Sequence, residues 1–429
     1  MGKPLKIVII NKSDSTGGAA IVSRRLMEAL RQQGADARML VAEKLSDSPY
    51  VELAASPSKI KASFLAERLK IFATNGFNRT TLFKIDTASE GLPLWKHPLV
   101  INADAILLNW VNQGMLSFKG IKKILELNKP VIWTMHDMWC MTGICHHAGS
   151  CNHYQKVCGE CPLLGMKAAK HDLSFKIRKR KSDLFNSDVF ISNPITFVTV
   201  SSWLANKSRE SSLLSEQRVE VIHNAFKADK LEERLPLDKD SRIRILFGAA
   251  RLDDPIKGLD TLREVSAMIS KNHPQLASRI EIALFGDVKN PESLKGFSLP
   301  LVNLGVLRSE DKVKEAYLSS QILVSASSYE TLPGTLVEAQ AYGVIPVAFS
   351  RGGQADIVDH LSTGYLARYD EDISRRAMNL AEGIIRAADI LNEPEKYQKV
   401  LRKMFESVVS KFSYENIALK YIELIKEMS

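Results

Sequence analysis

Outside residues 140–161 the chain of 429 residues contains no cysteine. No apolar run approaches the roughly 20 residues that a membrane-spanning helix needs, which excludes a helical span. The opening "MGKPLKIVIINKSD" holds only a short apolar run before it turns polar, which suits a buried first strand and not a signal peptide. A cytoplasmic location is expected, and a reducing cytosol argues against structural disulfides among the five thiols. Internal repeats, low-complexity tracts and a nucleic-acid-binding module are missing as well, so nucleic acid is not an expected partner. G-x-G-x-x-G is also absent. The glycines after the first strand stand in "STGGAA", and no acidic residue closes a clean second strand, so dinucleotide binding fits poorly.

What remains is ordinary for a globular protein, with 45% hydrophobic and 25% charged residues. The length is too great for one core and suits two domains of about 200 residues each. A net charge of +9 points to an anionic membrane surface or to phosphate-bearing ligands once nucleic acid is set aside. Part of that excess is local. The segment "KAAKHDLSFKIRKRK", residues 167–181, has seven Lys/Arg against one Asp, with Leu173, Phe175 and Ile177 interleaved. It reads either as a solvated helix face with snorkelling stems or as a peripheral contact with anionic lipid at the inner face of the cytoplasmic membrane.

Strands and helices alternate along the chain. "LKIVII" (5–10) is a β-rich apolar run, and "AIVSRRLMEALRQQG" places Val22, Leu26, Ala29 and Leu30 on one helical face with Gly34 as a stop. "ARMLVA", "DAILLNWV", "PVIWTMH" and "TFVTVSS" continue as strands, while 45–100 carries little pattern. After "VEVIHNAF" and the charged linker "KADKLEERLPLDKDSR", the pattern restarts with "IRILFGAARL", "RIEIALFG", "LVNLGVL", "ILVSAS" and "VIPVAFS". This β-α-β order implies an α/β protein with two doubly wound, parallel-sheet domains, 1–224 and 225–412, facing across a cleft. Ligands in such sheets bind at the carboxyl ends of the strands. The helical tail 413–429 can pack on either domain and is a candidate to return to the first.

Chemistry concentrates in the second half. "ETLPGTLVE", residues 330–338, places Glu330 before a turn and Glu338 one turn into the helix that follows it. Free amides at that helix start, from Gly334 and Thr335, form an anion site. Glu338 suits a ribose diol, and Glu330 would face sugar hydroxyls. In "GAARLDDPIKG", Arg251 ends a strand and Lys257 lies six residues on, beside Gly258. Two cations on one loop suit a diphosphate whose charge grows as it leaves.

These residues resemble the nucleotide-sugar domain of retaining glycosyltransferases of the GT-B fold, specifically glycosyltransferase family 4 (glycosyl transferases group 1). That family pairs a strand-end Arg and a Lys-Gly with an E-x7-E segment, positions matched by Arg251, Lys257, Gly258, Glu330 and Glu338. Leu332-Pro333-Gly334 departs from the usual Pro-Phe-Gly, and Gln354 stands where the family has Glu after "RGG". In the first half, Gly17 and Gly18 match the glycine loop that approaches the donor phosphates. His136 matches the active-site histidine that meets the donor sugar. "WTMHDMWCMTGICHH" is similar to a subgroup found in bacterial capsule, colanic-acid and exopolysaccharide clusters.

The resemblance implies a hexosyltransferase-type enzyme that moves a sugar, with retention, from a UDP- or GDP-linked donor to a hydroxyl of a glycan or lipid-linked oligosaccharide. His136, Arg251, Lys257 and Glu330 are the implied catalytic set; Gly17, Gly18, Gly334, Thr335 and Glu338 bind the donor. No catalytic divalent metal is expected, because the cationic loop takes that role. A GT-B epimerase or phosphorylase, and a non-catalytic sugar-nucleotide-binding protein, are the alternatives. Cys145, Cys151, Cys158 and Cys161, with Cys140 upstream, have spacing suited to a structural zinc site with four thiolate ligands. Reduced, unmetallated thiols and disulfides are the other two readings.

Overall fold

The computed structural model describes residues 3–227, 234, 238 and 240–429, so most of the charged linker 227–242 lies outside the described residues. The chain divides into two compact units, Met1–Ala225 with Tyr414–Ser429, and Phe226–Ser413.

The first unit holds seven strands: β1 (Lys6–Ser13), β2 (Asp36–Glu43), β3 (Val51–Leu53), β4 (Ala105–Leu108), β5 (Val131–Met135), β6 (Thr196–Thr199) and β7 (Val219–Val221). They pair in the order β3-β2-β1-β4-β5-β6-β7, parallel throughout. Ile7 to Ile10 are buried on both faces of β1, as expected of a strand covered on each side by helices. One cover is the helix Gly18–Gln32, which sends Leu26, Met27 and Leu30 into the core. The final helix, Tyr414–Met428, packs beside it through Ile417, Tyr421 and Ile425. Polar contacts fix that helix: Tyr421 shares a 2.9 Å hydrogen bond with Thr134 on β5, and Tyr414 donates to Glu28 at 3.0 Å.

The second unit holds β8 (Ile243–Arg251), β9 (Ile280–Asp287), β10 (Leu301–Asn303), β11 (Ile322–Ser325), β12 (Ile345–Phe349) and β13 (Tyr365–Ala367). Their order is β10-β9-β8-β11-β12-β13, again parallel. In each unit the chain winds outward on one side of its first strand and then crosses to the other side. The switch points therefore lie between β1 and β4, and between β8 and β11. Loops leaving those strands diverge there and open a crevice, which is where doubly wound sheets take ligands.

Residues 45–100, unpatterned in sequence, contain β3 and the helix Pro57–Thr74. The helix hid itself because it is inverted in polarity. It buries Glu67 and Arg68, while Leu65 and Leu69 are exposed. A smaller apolar cluster of Ile71, Ile85, Ile144, Cys161, Leu164 and Ile177 joins this helix to the cysteine-rich loop.

Candidate functional site

At the switch point of the second unit, β8 ends in Arg251, whose Nε lies 3.4 Å from Asp253. The chain then makes a short turn, Pro255–Lys257, and passes through Gly258 at φ 74°. A Cβ on Gly258 would come 2.1 Å from the carbonyl oxygen of Ala326, just past β11, so only glycine lets the two loops approach this closely. The same approach brings the Ser328 amide to the Ile256 carbonyl at 2.9 Å. It also brings Lys257 and Glu330 together: Nζ and Oε1 are 2.5 Å apart, and Ser327 donates to the same oxygen at 2.9 Å. Gly353 donates to the Glu330 carbonyl at 2.8 Å, fixing the backbone behind the carboxylate.

The helix Gly334–Ala341 starts at Pro333 with no side-chain cap, and a Cβ on Gly334 would have nothing within 4 Å. Gly334 is exposed and Thr335 partly so, at the positive end of the helix. Glu338, half-buried, accepts from the Tyr317 hydroxyl at 2.9 Å. Gln354 is fully buried and acts as structural cement. It accepts from Ser325 at 3.0 Å and donates to the carbonyls of Arg351 at 2.9 Å and Ser327 at 3.4 Å. A glutamate could not donate those bonds, which explains why an amide fits here.

In the first unit, Gly17 takes φ 88° at the start of the helix Gly18–Gln32, again with no side-chain cap and open space around it. His136 leaves the end of β5. Its Nε2 is buried without a hydrogen-bond partner among the described residues, against a cavity of about 10 Å³ also lined by Asn109, Thr134, His223, Asn224 and Tyr421. Burial pushes its pKa down to about 4 despite the neighbouring Asp137, so the ring is neutral near pH 7.

The cysteine loop differs from its sequence reading. Cys145, Cys151, Cys158 and Cys161 line one cavity of about 20 Å³ with His153 and Tyr154, as free thiols. Among the described residues no group of three or more His, Cys, Asp or Glu is placed to hold a metal ion, so zinc at these four positions is not supported. Cys161 packs in the apolar cluster with Ile71, Ile85 and Ile144. Burial pushes Cys145 up to about 12 and Cys161 up to about 11, and it raises Cys158, so all three stay protonated. The histidines nearby are occupied as well: His153 Nδ1 meets the Gly159 carbonyl at 2.9 Å, and both ring nitrogens of His146 meet carboxylates.

The basic segment 167–181 is corrected in part. Ile177 is buried, and Lys181 is 1% exposed, bonding the carbonyls of Trp139 and Thr142 beneath the helix Leu173–Phe185. Its ammonium sits 3.5 Å over the Trp139 ring. Burial pushes its pKa down to about 8. Ile177 and one of the seven cations therefore face inward, while Leu173 and Phe175 are partly buried. Among the described residues no helix is long and apolar enough to cross a membrane.

With this geometry in view, residues 229–405 match the family described as glycosyl transferases group 1. The match lies within the second unit, which is thereby similar to that family. A putative colanic acid biosynthesis glycosyl transferase, WcaC of Escherichia coli K12, is 23% identical over 353 residues, covering 80% of this chain and 83% of that protein. Among solved structures, a glycosyltransferase from Rickettsia africae superposes with a TM-score of 0.62 at 15% identity, over 99% of this chain and 98% of its own. HepE of Anabaena, in complex with UDP and glucose, gives a TM-score of 0.56 at 15% identity, over 99% and 100%. The two parallel-sheet, Rossmann-like units are those of the GT-B fold.

The structure thus joins Lys257 to Glu330 directly, ties Arg251 to Asp253, and gives Glu338 a tyrosine partner. Sequence reasoning missed Gln354 as a support, Lys181 as an interior cation, and His146 with Asp86 and Asp137. A lysine at a helical position between Ile177 and Leu184 (i+4, i−3) was the one available signal that its stem points inward.

Proposed function

We propose that the protein is a retaining glycosyltransferase that moves a hexosyl group from a UDP- or GDP-linked donor to a hydroxyl of a glycan or lipid-linked oligosaccharide in bacterial surface polysaccharide synthesis. The observation that carries this reading is the Lys257–Glu330 pair at the switch point of the second unit, within the residues that match the glycosyl transferases group 1 model. The relative assigned to colanic acid biosynthesis and the HepE complex with UDP and glucose support it.

In this mechanism Lys257 turns from Glu330 to the donor diphosphate, and its release frees the Glu330 carboxylate for sugar hydroxyls. Arg251 and the Gly334 and Thr335 amides share the phosphate charge as it grows. Glu338 accepts from the ribose, with Tyr317 holding the other side of the carboxylate in place. No side chain is assigned as a covalent nucleophile. The acceptor hydroxyl attacks from the face the diphosphate leaves, the anomeric C–O bond to phosphate breaks, the new C–O bond forms, and the acceptor proton passes to the departing phosphate oxygen. His136, neutral, serves the reacting sugar, and Gly17 and Gly18 serve the donor phosphates. The outward cations Lys176, Lys179 and Arg180 give an electrostatic contact with an anionic membrane surface, tested by vesicle flotation at low and high salt.

The test is a screen of UDP- and GDP-sugars, measuring nucleotide release with and without a lipid-linked oligosaccharide pool, with the product anomer read by NMR. Acceptor-dependent release with retained configuration is expected. An isomerised donor formed without acceptor, or nucleotide binding without turnover, overturns the transferase reading.

A further inference from the structure

One group of side chains in the first unit has no place in the chemistry above. His146, in the cysteine-rich loop, is 11% exposed, and its two ring nitrogens end on two different carboxylates. Nδ1 meets Asp137 Oδ2 at 2.6 Å, and Nε2 meets Asp86 Oδ2 at 2.7 Å. Asp86 is fully buried, and its other oxygen is bonded by Arg68 and by the Gln113 amide at 3.2 Å. Asp137 in turn accepts from the Trp110 indole at 2.9 Å and from the Trp139 amide at 2.8 Å.

Asp137 directly follows His136. Backbone bonds reinforce the same join: the Met138 amide reaches the His146 carbonyl at 2.8 Å, and the Asp86 amide reaches the Ile144 carbonyl at 2.9 Å. The loop that carries His146 is anchored behind by the buried thiols and by Lys181, which bonds the carbonyls of Trp139 and Thr142. A planar ring held at both ends cannot swing without breaking a charged contact. The turn after β5 is thereby locked, through His146, to Asp86, which lies sixty residues before His146 in sequence.

We propose that His146 is a positioning residue, a two-ended imidazolium brace that holds Asp137 and so sets the orientation of His136 in the transfer reaction, which rests on the reading that His136 serves the donor sugar. The cysteine-rich loop then has a purpose that needs no metal: it delivers and immobilises this brace. The raised pKa of His146, pushed up to about 10 by Asp137 and Asp86 against the effect of burial, agrees with an imidazolium that stays charged between two carboxylates.

The test uses the full chain and three variants, His146→Ala, His136→Ala and the double variant, with nucleotide release as activity and calorimetric UDP binding as a control on the second unit. His146→Ala is expected to lower kcat by roughly 10- to 100-fold, as angstrom-scale misplacement does, with donor KM and UDP affinity nearly unchanged. The double variant should be no worse than His136→Ala alone, because one effect acts through the other. Hydrogen exchange at the amides of 136–139 should accelerate in His146→Ala, a readout that needs no turnover. Because His146→Ala leaves two buried carboxylates facing each other, His146→Lys is added as a fourth variant. It keeps the charge and the fold, but a single flexible ammonium fixes no plane, so kcat still falls.

Full turnover in His146→Lys overturns the brace in favour of charge alone. Loss in His136→Ala with none in His146→Ala overturns the brace and leaves the transferase reading intact, as do losses that multiply in the double variant. Wild-type turnover in His136→Ala overturns both the role of His136 and the brace that serves it. Unchanged exchange at 136–139 in His146→Ala overturns the structural claim whatever the activity.

Discussion

Replacing Gly258 by alanine tests the link between backbone geometry and the cationic loop. The residue sits at φ 74°, and its new Cβ would lie 2.1 Å from the Ala326 carbonyl oxygen, where ordinary contact begins at roughly 3.4 Å. The left-handed conformation costs a residue with a Cβ about 1–2 kcal/mol. Forcing the loop away from a backbone atom adds about 1–3 kcal/mol, since no side chain can rotate aside. The sum, about 2–5 kcal/mol, corresponds to a fall of roughly 5–20 °C in the unfolding midpoint for a domain of this size. The displacement needed is about 1 Å, and it falls on the residue next to Lys257, so turnover should drop on the order of 100-fold. Two other glycines separate the causes. Gly17→Ala has open space and a different glycine conformation, φ 88° and ψ 165°, so its loss should be conformational only, about 1–3 kcal/mol. Gly334→Ala has neither a positive φ nor a neighbour within 4 Å and should keep its midpoint. Calorimetric melting and nucleotide release on the three variants provide the measurement. A Gly258→Ala protein melting within about 2 °C of wild type would refute the close approach.

Gln354→Glu removes two donated bonds and buries a carboxylate against the carbonyls of Arg351 and Ser327; it should destabilise by on the order of 3 kcal/mol in urea denaturation, and an unchanged midpoint would refute its supporting role. For pH, the folded pKa of His136, about 4, lies below the unfolded value of about 6.5, so its contribution to stability is lost as pH falls through that window. The folded pKa of His146, about 10, lies above its unfolded value, so its contribution is full below about 6.5 and lost as pH rises toward 10. Lys181, pushed down to about 8, acts with opposite sign only above that pH. Unfolding free energy should therefore peak near pH 6.5 and decline to pH 8, and a rise across that interval in urea denaturation would contradict the His146 assignment. Because Arg251 and Lys257 carry the diphosphate charge, EDTA should leave nucleotide release unchanged; activity lost to EDTA and restored by magnesium would count against the cationic loop.

Much of the architecture was legible because buried parallel strands have a simple signature. Runs such as Ile7–Ile10 and Ile345–Phe349 are apolar on both faces, and turn residues and helix-period segments separate them. "LVNLGVL" was over-read in length: the edge strand is Leu301–Asn303, backbone bonds to β9 continue only through Leu304 and Gly305, and Gly305 takes φ 67°. The helix Pro57–Thr74 was invisible because it spends its inward positions on Glu67 and Arg68, which a periodicity argument scores as solvent-facing. Glu67 can be buried because the amides of Gly114 and Thr87 bond it, contacts supplied by residues about twenty and nearly fifty positions away. The cysteines misled for a related reason. Spacing along the chain shows that thiols can meet, but not whether they converge on one point or merely line one cavity.

By itself the sequence determined two parallel α/β sheets, the glycines that permit tight loops after their strands, and the grouping of cations and glutamates on the second of them. These are local properties, set by residue type and by spacing along a strand or helix. Only the tertiary structure decided that Lys257 meets Glu330, that Lys181 points inward, and that His146 is held by carboxylates from two distant segments. A buried charge keeps its charge only where partners from elsewhere in the fold replace the water it has lost, and no local pattern records which partners those are.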